Sequence, residues 1–97
     1  MDSLTPLFTA AMSGDTVALN RLFAEVRPML LVAAQPLLPD WLRQRIGLSD
    51  LVQETLANAF AALPQFRADN VAQFIAWLKS IQQNQAKTLI AFHKAKL

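Results

Sequence analysis

Residues 70–94 read NVAQFIAWLKSIQQNQAKTLIAFHK and contain neither proline nor glycine. At about 100° per residue, the large apolar side chains of this stretch fall within an arc of about 80°. They are Phe74, Leu78, Ile81, Leu89 and Phe92. Gln85 falls in the same arc, and nothing in the sequence accounts for an amide there. The spacing predicts one long amphipathic helix packed on a core, and Asn70 followed by Gln73 resembles the capping box that would open it.

A second stripe of the same helix is basic. Another arc of about 80° collects Lys79, Gln83, Lys87 and Lys94. The residues between the two arcs are Gln73, Trp77, Ser80 and Asn84. Lysines neutralise phosphates, and an aromatic ring beside amides suits bases, so this arrangement favours nucleic acid. Two other interpretations stay open: a solvated charged face, and a Trp77 that belongs to the core.

The rest of the chain predicts an all-α fold, a compact bundle of about four to five helices, because no stretch alternates polar and apolar residues over the length of a strand. Thr5 before Pro6 looks like the start of a first helix, and Gly14 like its end. Asp15 is placed to cap the second helix, which Pro28 should kink.

Further along, residues 40–46 predict a short helical turn that Gly47 ends, and Ser49 looks like the cap of the next helix. Pro64 should close that helix. Its expected apolar stripe is Leu51, Leu56, Ala59, Phe60 and Leu63.

Composition excludes several classes of function. The 97 residues suit a single domain, and 54% of them are hydrophobic against 16% charged, which argues against disorder. There is no cysteine and only one histidine, so thiol chemistry and disulfides are excluded and a zinc site is disfavoured. Two glycines leave no glycine-rich phosphate loop. We expect no cofactor and no metal.

The charges are distributed unevenly along the chain. Residues 1–69 carry five basic and seven acidic side chains, a net charge of −2, whereas residues 70–97 carry four lysines and no acid, a net charge of +4. The start of the chain lacks a basic segment followed by an apolar one, and the apolar runs fall far short of the ~20 residues that span a bilayer. We therefore expect a cytoplasmic protein with different partners for its two halves.

Asp50 and Glu54 lie one helical turn apart and raise the question of catalysis or metal binding. No histidine or further acid lies nearby to complete such a site, so an enzyme is the least favoured interpretation. Acids at a helix start also suit the helix dipole. Together with Gln53 they equally suit a face that hydrogen-bonds an arginine-rich protein partner.

The string SDLVQET at residues 49–55 resembles a signature of the bacterial RNA polymerase sigma-70 family, in its extracytoplasmic-function (ECF) group. Phe66-Arg67 and the later pattern F-x-x-W-L-x-x-I-x-x-N, from Phe74 to Asn84, match the same family in order. Gly14-Asp15 and Arg27-Pro28 fit as well. The resemblance covers essentially the whole chain and identifies residues 1–97 as a single domain of the region 2 type, which implies an all-α fold.

The resemblance implies two tasks. In that family the D-L-V-Q-E-T helix docks on the clamp helices of the polymerase β′ subunit. The residues that match here are Asp50, Leu51, Gln53, Glu54, Ala57 and Phe60. The last helix and the loop before it melt the minus-ten promoter element and hold its non-template strand, with one base flipped out. The matching residues are Arg67, Asp69, Asn70, Val71, Trp77, Lys79, Ser80, Gln83, Asn84 and Lys87.

The chain also departs from the family pattern. Thr88, Ala91 and Phe92 stand where the family commonly has an aspartate and then basic residues. An alternative function therefore stays open, a helical protein-interaction module of the same fold without promoter recognition. The family further implies an anti-sigma factor as a possible partner, although no residue demonstrates one. Region 4, which reads the minus-thirty-five element, is absent from the sequence, and we expect this chain to be the N-terminal part of a longer factor.

Overall fold

The computed structural model describes residues 4–97. It consists of α-helices joined by short turns and confirms the all-α prediction. The helices are α1 (Leu4–Met12), α2 (Thr16–Ala34), α3 (Asp40–Arg43), α4 (Leu48–Ala62) and α5 (Val71–Lys94). Two 3₁₀ turns, Gln35–Leu37 and Leu63–Gln65, follow α2 and α4. The prediction of no signal peptide partly concerns residues 1–3, which lie outside the described residues.

The junction between α1 and α2 follows local rules. Gly14 has a φ of 100°, a left-handed conformation that favours glycine, and it turns the chain after α1. The Asp15 carboxylate accepts a hydrogen bond from the Ala18 backbone N–H at 3.0 Å, which confirms the predicted cap of α2. The predicted start of α1 at Thr5 is wrong, because Thr5 lies inside the helix.

Helix α2 crosses the whole bundle without a break. Its buried residues recur every four positions: Ala18, Leu22, Val26, Leu30 and Ala34. Pro28 lies inside the helix at an exposed position. The helical assignment continues on both sides of Pro28, so the proline does not divide α2 into two helices.

Helix α4 begins earlier than the sequence predicts. Gly47, not Ser49, is the capping residue, and its backbone N–H donates to the Asp50 carboxylate at 3.0 Å. Asp50 is the third residue of the helix, a position from which a carboxylate reaches back to the cap. Asp50 therefore stabilises the start of its own helix.

The core of α4 also differs from the predicted stripe. Leu51, Val52, Thr55 and Ala59 are buried, and the Thr55 hydroxyl donates to the Leu51 carbonyl at 2.8 Å. Phe60, which belongs to the predicted apolar stripe and also to the residues expected to contact the polymerase, is 58% exposed. The side of α4 that carries Val52 and Thr55 is therefore the buried side. The aromatic ring of Phe60 lies on the exterior of the protein.

Helix α5 packs on α4 and α2, and the side that it buries is rotated from the predicted apolar stripe. Phe74 and Leu78 are buried as predicted, and they are followed by Gln82 and Ala86. Phe92, predicted in the same stripe, is 54% exposed. The contact surface follows a four-residue spacing, so it turns away from Phe92 as the helix proceeds.

The two amides of α5 have separate explanations. Gln85 is half-buried and accepts a hydrogen bond from the Asn58 side chain on α4 at 2.9 Å. Gln82 is fully buried, and its Nε2 donates to the Leu30 carbonyl of α2 at 3.1 Å. The Gln82 Oε1 atom is buried without a hydrogen-bond partner among the described residues. A buried unpaired carbonyl costs about 1–3 kcal/mol.

We expect Gln82→Met to leave the free energy of unfolding unchanged or to raise it by up to about 1 kcal/mol, because methionine fills a similar volume and removes the unpaired carbonyl. Gln82→Ala leaves a cavity and should cost about 2 kcal/mol or more. Urea unfolding followed by far-UV circular dichroism measures both. An equal loss in the two variants would show that the Gln82 hydrogen bond to Leu30 outweighs the unpaired atom.

Candidate functional site

The first candidate surface lies on α4 and is called the α4 face. It comprises Asp50, Gln53, Glu54, Ala57 and Phe60, all of them exposed. The spacing of three and four residues places these side chains on one side of the helix. The face is acidic toward the start of α4 and apolar at its end, where the Phe60 ring meets the Phe23 ring edge-on at 6.3 Å.

Leu51 does not belong to the α4 face. Its side chain is 0% exposed and lies in the core cluster. The expectation that Leu51 contacts a partner is therefore wrong for the folded domain. Its place in the family motif is explained by packing instead.

Arg27 reaches the α4 face from α2, a contact that the sequence did not predict. Its Nη1 donates to Gln53 Oε1 at 3.3 Å, and its Nη2 donates to the Ser49 hydroxyl at 3.2 Å. Ser49, expected to be a cap, is thus part of a surface network. The two hydrogen bonds join residues 26 and 22 positions apart, so no local pattern could reveal them.

A groove opens at each end of the α4 face. The first has a volume of about 230 Å³ and is lined by Ile46, Asp50, Glu54, Gln85 and Leu89. The second, of about 280 Å³, lies beside Phe60. Its other lining residues are Ala11, Gly14, Asp15, Thr16, Leu19, Leu63 and Pro64. A partner on the α4 face would therefore meet acidic groups at one end and an apolar recess at the other.

The second candidate surface begins in the loop between Phe66 and Asn70. Asn70 Oδ1 accepts the Gln73 backbone N–H at 2.9 Å, which confirms the predicted cap of α5. Gln73 Oε1 in turn accepts the Asp69 N–H at 2.9 Å. The Arg67 guanidinium donates to the Phe66 carbonyl at 3.0 Å. These bonds order the loop while the Asp69 and Arg67 side chains stay exposed.

Trp77 is half-buried and stacks on Phe66, with ring centroids 3.9 Å apart and an angle of 17° between the planes. The interpretation of Trp77 as a packing residue is therefore right for part of the ring, and the contact with nucleic acid stays a prediction. One face of the indole belongs to the packing of the loop, so a base cannot stack there. Any contact of Trp77 with nucleic acid uses the remaining exposed part of the ring.

The outer side of α5, called the α5 face, consists of Lys79, Ser80, Gln83, Asn84 and Lys87, and all five are exposed. The Ser80 hydroxyl donates to the Trp77 carbonyl at 2.8 Å, which leaves its oxygen able to accept. Val71, predicted to line the site, is half-buried and packs against the core cluster. The α5 face thus offers lysines and amides along one side of a helix.

Residues 4–97 contain no cluster of three or more histidine, cysteine, aspartate or glutamate side chains that could hold a metal ion. Within the same residues, no helix is both long and apolar enough to cross a membrane.

A family model described as Sigma-70 region 2 matches residues 22–95. Comparison with curated proteins and with solved structures gave no significant match. The family match spans well over half of the chain and includes α4, the loop and α5. It therefore contains both candidate surfaces.

The chain belongs to the sigma-70 family, as a region 2 domain. Domains of this family bind RNA polymerase and take part in promoter melting, and they are initiation factors and not enzymes. The polymerase core and promoter DNA are accordingly the partners that the family assigns.

We expect Phe66→Leu to lower the free energy of unfolding by about 0.5–1.5 kcal/mol, since leucine keeps apolar contact but loses the aromatic pair with Trp77. Near-UV circular dichroism should lose part of its tryptophan signal at the same time. Phe92→Leu is the matched control, because Phe92 is exposed and should change stability little. Equal effects of the two substitutions would contradict an ordering role for the stack.

Proposed function

We propose that this domain belongs to an ECF-type sigma factor and acts in the cytoplasm. In this role it docks on the β′ clamp helices through the α4 face and holds the minus-ten non-template strand with the loop and the α5 face. The observation that carries the proposal is the placement of two exposed faces of opposite charge on helices that pack together. Acids lie on α4 and lysines on α5.

The charge and exposure of the α4 face support its docking role. Asp50 and Glu54 are exposed, and their carboxylates suit arginine or lysine side chains on a helical partner. Ala57 leaves the middle of the face flat enough for close approach of a second helix. Phe60 adds an exposed aromatic side chain, a residue type that often anchors an interface.

The α5 face suits a strand that has left the duplex. Lys79 and Lys87 can neutralise phosphates, while Asn84 and Gln83 can read the edges of unpaired bases. Bases that leave the stack need a surface that replaces their lost contacts. The ordered loop with Arg67 and Asp69 lies next to that surface and is the proposed place for the flipped base.

A charge reversal on the α4 face tests the docking role. Glu54→Lys combined with Asp50→Asn should lower the affinity for a β′ clamp-helix fragment at least tenfold, because both carboxylates are lost. Asparagine is used at position 50 since its carbonyl can still accept the Gly47 N–H that starts α4. Co-purification and titration calorimetry give the affinity, and circular dichroism checks the fold.

Glu25→Lys is the matched control for this experiment. Glu25 is exposed on α2, about 200° around that helix from Arg27, which faces α4. Its reversal raises the net charge by two, against three for the α4 double variant, and should leave binding unchanged. Undiminished binding by the α4 variant would count against the docking proposal, as would an equal loss in the control.

Salt dependence tests the role of the α5 face. If Lys79 and Lys87 of the α5 face contact phosphates together with Lys94 and Lys96 beyond it, the logarithm of the affinity for single-stranded minus-ten DNA should fall with the logarithm of salt at a slope of at most about −3, at ~0.7 per contact. Lys87→Gln should make the slope shallower by about 0.7. Arg21→Gln on α2 should not change it. A flat response to salt would contradict the proposal.

The alternative function, an interaction module without promoter recognition, is favoured by one part of α5. The Thr88 hydroxyl is engaged with the Asn84 carbonyl at 3.0 Å, and Phe92 exposes an apolar ring where the family has basic residues. Polymerase carrying this domain would then bind a minus-ten strand and a scrambled strand equally well. A clear preference for the minus-ten strand would reject the alternative.

A further inference from the structure

Arg27 connects α2 to the surface of α4 through a forked pair of hydrogen bonds. One nitrogen of the guanidinium donates to Gln53 Oε1 at 3.3 Å and the other to the Ser49 hydroxyl at 3.2 Å. Ser49 and Gln53 are four residues apart, so they lie one above the other on α4. Arg27 is itself half-buried, which limits the positions that its side chain can reach.

The chemistry of the guanidinium determines which way the Gln53 amide points. Arginine carries only donors, whereas a glutamine amide has a carbonyl that accepts and an NH₂ group that donates. The Gln53 carbonyl must therefore face Arg27, because the opposite orientation would place donors against donors. The NH₂ group of Gln53 then has no role in the contact with Arg27 and, because Gln53 is exposed, is available to donate to a partner on the α4 face.

The α4 face consequently presents two kinds of group. Asp50 and Glu54 are acceptors, whereas Gln53 between them is a donor. Arginine or lysine on a partner would satisfy the two acids but would oppose the Gln53 NH₂ group. A partner that satisfies the whole face must offer an acceptor, such as a carboxylate or a carbonyl, beside its basic side chains.

We propose that Arg27 is a positioning residue that orients Gln53 as a hydrogen-bond donor toward an acceptor on the bound polymerase helix. This inference rests on the proposed docking through the α4 face and specifies the chemistry of the partner. Arg27 acts through Gln53 and needs no contact of its own with the polymerase.

The substitution Gln53→Glu separates a donor role from an acceptor role. Glutamate keeps an oxygen for Arg27 but offers no donor to the partner. We expect the affinity for the β′ clamp-helix fragment to fall about tenfold or more, the loss typical of one hydrogen bond to a charged group. If Gln53 served as an acceptor for basic side chains, the added negative charge would raise the affinity. An unchanged or higher affinity would overturn the inference.

Arg27→Lys tests the positioning role itself. Lysine keeps the charge but cannot reproduce the planar fork that holds Ser49 and Gln53 together. We expect about a threefold to tenfold loss of affinity, and no further loss when Arg27→Lys is added to Gln53→Ala. Arg21→Lys, on the same helix, should have no effect. Full affinity in Arg27→Lys, or losses that simply multiply in the double variant, would overturn the positioning role.

A readout on the free domain distinguishes failure of the inference from failure of the docking proposal. In NMR spectra without a partner, Arg27→Lys should shift the side-chain NH₂ signals of Gln53, and Arg21→Lys should not. Unshifted signals would overturn the Arg27 contact, whatever the binding result. Failure of the unmodified domain to bind the clamp-helix fragment would instead defeat the docking proposal, and the partner chemistry inferred from it would fall as well.

Discussion

The burial of Phe74 is the constraint on which the rest of this domain depends. Its ring lies 5.8 Å from Phe8 of α1, 6.2 Å from Phe23 of α2 and 6.1 Å from Phe66 of the loop. The Phe74 side chain of α5 therefore packs against α1, α2 and the loop that precedes α5. Because Phe66 also stacks on Trp77, the position of the loop and of the first turns of α5 is set by the same cluster.

A second buried contact joins α5 to α2. Gln82 donates to the Leu30 carbonyl and lies between Leu78 and Ala86 in the interface with α2. An amide in a core costs free energy unless it is paired, and here only one of its two polar atoms has a partner. Because Phe74, Leu78, Gln82 and Ala86 form the buried side of α5, the lysines and amides of the α5 face lie exposed on another side of the helix.

Folding and the proposed docking share residues on α4. The Asp50 carboxylate accepts the Gly47 N–H at the start of the helix and also belongs to the α4 face. Gln53 is exposed but is already oriented by Arg27. Such prior ordering lowers the entropy that binding must overcome, since the side chains need not be immobilised by the partner. Experiments on the α4 face therefore require substitutions that keep these internal hydrogen bonds.

Local rules in the sequence determined the helical class, the caps at Asp15 and Asn70 and the turn at Gly14, because each depends on residues within one helical turn. They also indicated the exposed spacing of Asp50, Gln53 and Glu54. The cap at Gly47 was missed, since Ser49 is the stronger capping residue by type. Only the tertiary structure decided that Leu51 and Gln82 are buried, that Phe60 and Phe92 are exposed and that Arg27 holds Gln53. The physical reason is distance along the chain: these outcomes depend on packing between helices, and hydrogen bonds that join residues 26 and 52 positions apart leave no periodic pattern in the sequence.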